Sequence, residues 1–172
     1  LTAVKDHILF LDSFLEILKA MPNAVAVIVG DGEERERIKS HAERLGIPGK
    51  VRWAGFSRDL AAIYSDLDVL ALTSKNEGTP VAVIEAQAAG CPVVAADVGG
   101  TADAMPNRPD ADGETLAEEE SQEIMARMGG FLVRRRTREN FARACVEILS
   151  GRFRPDEKAR QRIFELFNAQ RL

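Results

Sequence analysis

The stretch Val69-Leu70-Ala71-Leu72-Thr73-Ser74-Lys75-Asn76-Glu77-Gly78-Thr79-Pro80-Val81-Ala82-Val83-Ile84-Glu85-Ala86-Gln87-Ala88-Ala89-Gly90-Cys91-Pro92-Val93-Val94-Ala95-Ala96 decides the fold class. Val69 to Thr73 is a short apolar run of strand length. A polar loop follows, where Thr79 and Pro80 suit the N-cap and first residue of a helix. That helix is predicted to run to about Ala89, with Gly90 ending it. Pro92 to Ala96 then reads as a second apolar strand. Strand, helix and strand in so short a space form a βαβ unit, whose strands are parallel.

The same rhythm extends outward. Ile8, Leu11, Leu15 and Leu18 recur at three and four, predicting a helix over residues 6–21. Ala24 to Val29 is almost continuously apolar and closes at Gly30, as expected of a strand buried on both faces. A charged helix is expected over 33–45, with Ile38, Ala42 and Leu45 inward. Val51 to Ala54 is a candidate strand, followed by a short helix at 59–65. Helices over 138–150 and 156–168 close the chain, the second carrying Ile163, Leu166 and Phe167 inward. The expected fold is α/β: a doubly wound, Rossmann-like parallel sheet with helices on both faces, built as a single domain over residues 1–172.

Composition narrows the function. The 172 residues carry 23 Lys plus Arg against 27 Asp plus Glu, a net charge of −4, which disfavours a general nucleic-acid binder. Glu85 and Gln87 interrupt the most apolar region, so no run reaches membrane-spanning length. Cys91 and Cys145 form no metal-binding or disulfide pattern, and a reducing, cytoplasmic setting is expected. The opening Leu1-Thr2-Ala3-Val4 resembles a cut within a larger protein. Between Asp110 and Glu123 stand seven acids and no base, read as a solvated loop with a short exposed helix at most. Calcium-loop spacing is absent there.

Ligands of such sheets bind beyond the carboxyl ends of the strands. Gly30-Asp31-Gly32 begins like a dinucleotide fingerprint, but Arg35 replaces the third glycine and Glu33, Glu34 and Glu36 would repel a pyrophosphate. A tight turn is the better reading. The loop before the 80–89 helix differs. Glu77 precedes the helix, and Glu85 lies about 7–8 Å along it at the usual rise. Gly78 permits close backbone approach, and the first-turn amides offer an anion site. Two carboxylates flanking an anion site suit hydroxyls flanking a diphosphate, the layout of a nucleotide sugar. Glu85 also stands in an otherwise uncharged helix, where a carboxylate needs partners.

Glu77 through Ala95 resembles, without a gap, the E-x7-E signature of retaining glycosyltransferases of family 4. Val27-Ile28-Val29-Gly30-Asp31-Gly32, Trp53-Ala54-Gly55-Phe56, Ser65-Asp66-Leu67-Asp68-Val69, Val98-Gly99-Gly100 and Gly130-Phe131-Leu132-Val133 extend the likeness over nearly the whole chain. The resemblance implies one half of a GT-B fold, the C-terminal donor-binding half, with the N-terminal acceptor-binding domain outside this chain. It implies that Glu85 binds ribose hydroxyls and that Glu77 faces the transferred sugar. The backbone of Gly78, Thr79, Pro80 and Val81 would contact sugar and phosphate. Lys5 matches the lysine that neutralises the diphosphate, and a companion arginine would lie ahead of Leu1. Gly55, Phe56 and Ser57 match the loop that reads the base.

Further expectations follow from the resemblance. The donor is a UDP- or GDP-sugar, UDP slightly preferred; no cofactor and no metal are implied. The acceptor is a hydroxyl on a glycan, polysaccharide or glycolipid, and the intact protein could sit peripherally on a membrane. This part alone is expected to be inactive. Asp103 stands where the family has glutamate, and residues 106–128 look like an insertion. The Arg134–Arg138 run is read as a solvated approach to a helix capped by Thr137, with an anionic lipid or acidic partner as the sharper reading. His41 is read as a surface residue, and Cys91 as a small core residue. A non-catalytic nucleotide-binding or assembly module on the same fold is the alternative.

Overall fold

The computed structural model describes residues 1–108 and 122–167. Its helices are α1 (His7–Ala20), α2 (Arg35–Arg44), α3 (Leu60–Asp66), α4 (Val81–Ala89), α5 (Arg138–Leu149) and α6 (Ala159–Phe167). Its strands are β1 (Ala26–Val29), β2 (Val51–Gly55), β3 (Leu70–Leu72), β4 (Val93–Ala96), β5 (Ile124–Arg127) and β6 (Gly130–Val133). Strands and helices alternate as the apolar runs require, and the parallel, Rossmann-like layout is present.

The sheet, however, is in two parts. β1 pairs in parallel with β2, Ala26 opposite Val51. β3, β4 and β6 form a second parallel group, and β5 adds antiparallel to β6 in the order β3-β4-β6-β5. Two apolar cores sandwich these strands. Phe14 of α1, Ile38 of α2 and Phe141 of α5 join Ile28, Val94 and Val133 in one core. Tyr64 of α3 and Val83 of α4 join Val93, Ala95 and Leu132 in the other. β4 alternates between the two cores and is buried on both faces.

Several expectations need correction. β1 is not buried on both faces, because Val27 is 37% exposed. α4 begins at Val81; Pro80 takes the N-cap place, and Thr79 makes no capping hydrogen bond. Inside the expected insertion, residues 124–127 are a strand rather than loop or helix, since pairing with β6 satisfies their backbone. The acids from Asp110 to Glu120 lie outside the described residues. In α6 Ile163 turns inward as expected, together with Ala159, while Leu166 and Phe167 are exposed. The 3.6-residue period places Leu166 and Phe167 beside Ile163, but both stand in the last turn of a nine-residue helix.

Candidate donor site

The site lies at the carboxyl ends of β1, β2 and β3. The chain runs from β3 into the loop 73–80, whose Glu77 carboxylate is only 8% exposed. Its position is set from two sides. The Gly100 amide donates to the Glu77 carbonyl at 3.1 Å. A Cβ on Gly99 would sit inside that same carbonyl oxygen, and one on Gly100 inside the carbonyl of Gly78. Gly99 also has φ +54°, in the left-handed region. Only glycine at both positions lets the loop after β4 press against the Glu77 loop.

Lys5 arrives from a different segment. A 3₁₀ turn, Ala3–Lys5, ends at Asp6, the only non-glycine residue with positive φ among the described residues, at +51°. This left-handed kink normally costs about 1–2 kcal/mol. Arg136 offsets it by donating from one guanidinium nitrogen to Asp6 Oδ2 at 2.6 Å and to the Thr73 carbonyl at 2.9 Å. Thr73 Oγ1 in turn donates to the Asp6 carbonyl at 3.0 Å. The kink thereby aims Lys5 back at the loop, and its Nζ donates to Glu77 Oε1 at 2.7 Å. Arg136 is therefore a partly buried structural cation, a correction to the solvated or lipid-facing reading. The reason is tertiary: Asp6 lies 130 positions away in sequence.

The first turn of α4 faces the same space. Among the described residues, the amides of Gly78, Thr79, Val81 and Ala82 make no hydrogen bond, as expected of a helix start. Glu85 is the fifth residue of α4 and is half-buried. Tyr64 on α3, a residue the sequence did not single out, donates its hydroxyl to Glu85 Oε2 at 3.1 Å. Burial, then the neighbouring carboxylate, push the Tyr64 phenol up to about 12, so it stays protonated and holds Glu85 by donation. Gly55 has φ +65°, and the turn it makes leaves Phe56 standing 82% exposed. The Ser57 hydroxyl accepts from the Asp59 amide at the start of α3.

Other candidates resolve structurally. Asp31 accepts from the Gly32 amide at 2.8 Å and from Arg35 at 2.9 Å, so the Gly30–Gly32 loop satisfies itself as a tight turn. His41 is not a free surface residue: it meets Asp12 at 2.7 Å and Arg44 at 2.9 Å, joining α2 to α1 where the helices pack. Cys91 is buried, and desolvation pushes its thiol up to about 11, away from nucleophilic character. Asp66 and Asp68, an Asp-x-Asp pair, precede β3 and so lie at the opposite end of that strand from Glu77.

Residues 1–161 match the family model described as glycosyl transferases group 1. The chain belongs to that family. Members similar to it include the Vi polysaccharide biosynthesis protein VipC/TviE of Salmonella typhi, 35% identical over 99 residues, covering 58% of this chain and 17% of that protein. The lipopolysaccharide core biosynthesis glycosyltransferase LpsE of Rhizobium meliloti is 33% identical over 82 residues, covering 48% and 24%. Among solved structures, HepE of Anabaena in complex with UDP-glucose aligns with a TM-score of 0.71 and 25% identity, over 97% of this chain and 42% of HepE. The chain thus spans less than half the length of these relatives. Within this glycosyl transferases group 1 chain, Lys5, Glu77, the α4 amides and Glu85 come together along one loop and helix start. Phe56 stands on the neighbouring loop after β2.

Proposed function

We propose that this chain is the donor-binding half of a retaining glycosyltransferase, moving a sugar from UDP, or less readily GDP, to a hydroxyl acceptor in glycan, polysaccharide or glycolipid synthesis. The observation that carries the reading is the Lys5–Glu77 pair at 2.7 Å beside the open first turn of α4, with Glu85 held by Tyr64 farther along the same helix. Glu85 offers a charged acceptor for the two ribose hydroxyls. The open amides and Lys5 offer donors where negative charge grows as the sugar–diphosphate bond breaks, and such preorganised donors are the main source of rate acceleration in reactions of this kind. Glu77, freed from Lys5 as the diphosphate competes for that cation, is placed to accept from hydroxyls of the transferred sugar. In a retaining reaction the acceptor attacks from the leaving-group face, and the departing phosphate takes the acceptor's proton. The acceptor would be held by a separate N-terminal domain, so residues 1–172 alone should show no transfer. HepE's complexes with UDP and with UDP-glucose support the choice of donor class.

Calorimetric titration of the chain with UDP, GDP and NAD, repeated on Glu85→Ala, tests this. UDP should bind, GDP more weakly, NAD not at all, and the variant should lose about tenfold or more, the cost of a charged hydrogen bond. Binding of NAD alone, or UDP binding indifferent to Glu85→Ala, would sink the reading.

A further inference from the structure

Arg136 touches both of the segments that supply the candidate site. One of its guanidinium nitrogens donates to Asp6 Oδ2 at 2.6 Å and to the Thr73 carbonyl at 2.9 Å. Asp6 follows Lys5 directly, and Thr73 opens the loop that carries Glu77. Thr73 Oγ1 ties the two segments together, shared between the Lys5 and Asp6 carbonyls at 3.2 and 3.0 Å. On the other side of Lys5, the Val4 carbonyl accepts from the Lys75 amide at 2.8 Å.

Both partners of the Arg136–Asp6 pair are held at a cost. The Nε of Arg136 is buried and meets no hydrogen-bond partner among the described residues. Asp6 takes φ +51° without being glycine. Strain of that kind persists only where the surroundings over-determine it. Electrostatics shows what the pair achieves. The Asp6 carboxylate is largely buried, at 17% exposure, and stands next to Lys5 in the chain. Left alone, it would compete with Glu77 for the Lys5 ammonium. Arg136 takes up that carboxylate, and Lys5 is left to Glu77 at 2.7 Å.

We propose that Arg136 is a positioning residue of the candidate site: by occupying the Asp6 carboxylate and pinning Thr73, it keeps the Lys5 ammonium on Glu77, where a diphosphate would be met. Its consequence for UDP rests on the reading given under Proposed function, whereas its effect on Lys5 does not. The role has a signature that support of the fold alone lacks. Asp6→Gly removes the rival carboxylate and, with it, the cost of the left-handed φ. Arg136 should therefore matter strongly beside Asp6 and little in the Asp6→Gly background. A residue that only supports the fold would cost the same in both backgrounds.

Lys5 itself reports the outcome without a ligand. The hydrogen-exchange rate of its ammonium, followed by NMR with ¹⁵N-labelled lysine, should rise about two- to fivefold on Glu77→Gln, the scale of losing a half-exposed ion pair. On top of Arg136→Met, the same Glu77→Gln change should leave the rate unaltered, because Lys5 no longer rests on Glu77. On top of Arg136→Met combined with Asp6→Gly, the response to Glu77→Gln should return. In calorimetric titration Arg136→Met should weaken UDP binding roughly tenfold, the size of one charged hydrogen bond, and adding Asp6→Gly should restore most of it. A full Lys5 response to Glu77→Gln in folded Arg136→Met overturns the proposal, as does no response in the parent chain or none in the combined variant. If Arg136→Met does not fold, the combined variant should fold and show the response, and its failure to fold overturns the proposal too. Should the parent chain bind no UDP, the donor reading falls, while the Lys5 rates still decide the role of Arg136.

Discussion

Single residues set the site's geometry, and the contact that Tyr64 makes with Glu85 was beyond reach of the sequence. Tyr64 and Glu85 are 21 positions apart, and only the packing of α3 on α4 brings hydroxyl to carboxylate. Tyr64→Phe removes one donor while keeping the ring in its core, so the fold should lose about 1 kcal/mol or less. UDP affinity in calorimetric titration should fall by roughly three- to tenfold. The same change made on top of Glu85→Ala should have no further effect on affinity, since the hydroxyl acts only through that carboxylate. Gly99 makes the complementary point about backbone. A methyl there meets the Glu77 carbonyl in a left-handed conformation, whereas Gly90, at φ +85°, has open space around its Cβ direction. Gly90→Ala should cost about 1 kcal/mol in urea unfolding, a purely conformational effect. Gly99→Ala should cost about 3 kcal/mol or more, because the loop must also move. By contrast the placement of Glu77 and Gly78 before a helix start and of Glu85 along that helix was legible, since it rests on residue type and on spacing along one loop and one helix.

Elements were legible where a local pattern sufficed. Three strongly apolar runs became β1, β3 and β4, and the Ile8-Leu11-Leu15-Leu18 period became α1. β5 was not legible: Ile124-Met125-Ala126-Arg127 has neither alternation nor a long apolar run, and antiparallel pairing with β6 makes it a strand. Nor could the break between β1 and β3 be read, because an apolar run looks the same on a paired and an unpaired strand. Helix starts show how local signals compete. Thr137 was expected to cap α5, and its Oγ1 accepts from the Asn140 amide at 3.2 Å. Thr79 was expected to cap α4 and does not, because Pro80 displaces it and the loop turns to meet Gly99 and Gly100. Thr137→Ala should therefore lower stability by about 1 kcal/mol in chemical denaturation. Thr79→Ala should leave it within about 0.5 kcal/mol.

At the scale of the molecule, the question is whether two half-sheets behave as one folding unit. Strand pairing does not join them, but one of the two cores does: Ala26, Ile28 and Val51 from one half meet Val94, Ala96 and Val133 from the other, beneath α1 and α5. Apolar burial that spans both halves makes loosening either one costly to the other, which is the condition for cooperative unfolding. The two free thiols report on this directly, because they sit in different cores. Cys145 is in the spanning core and Cys91 is in the core over α3 and α4. Burial pushes their thiols up to about 12 and about 11, so in the native state neither offers thiolate to a reagent at pH 8. In a urea series read by pulsed thiol labelling and mass spectrometry, both should become reactive at a single midpoint. Labelling of Cys91 at clearly lower urea than Cys145 would mean that the two cores unfold independently. The spanning core would then hold the half-sheets together without coupling them to the core behind α4, the helix of the candidate site.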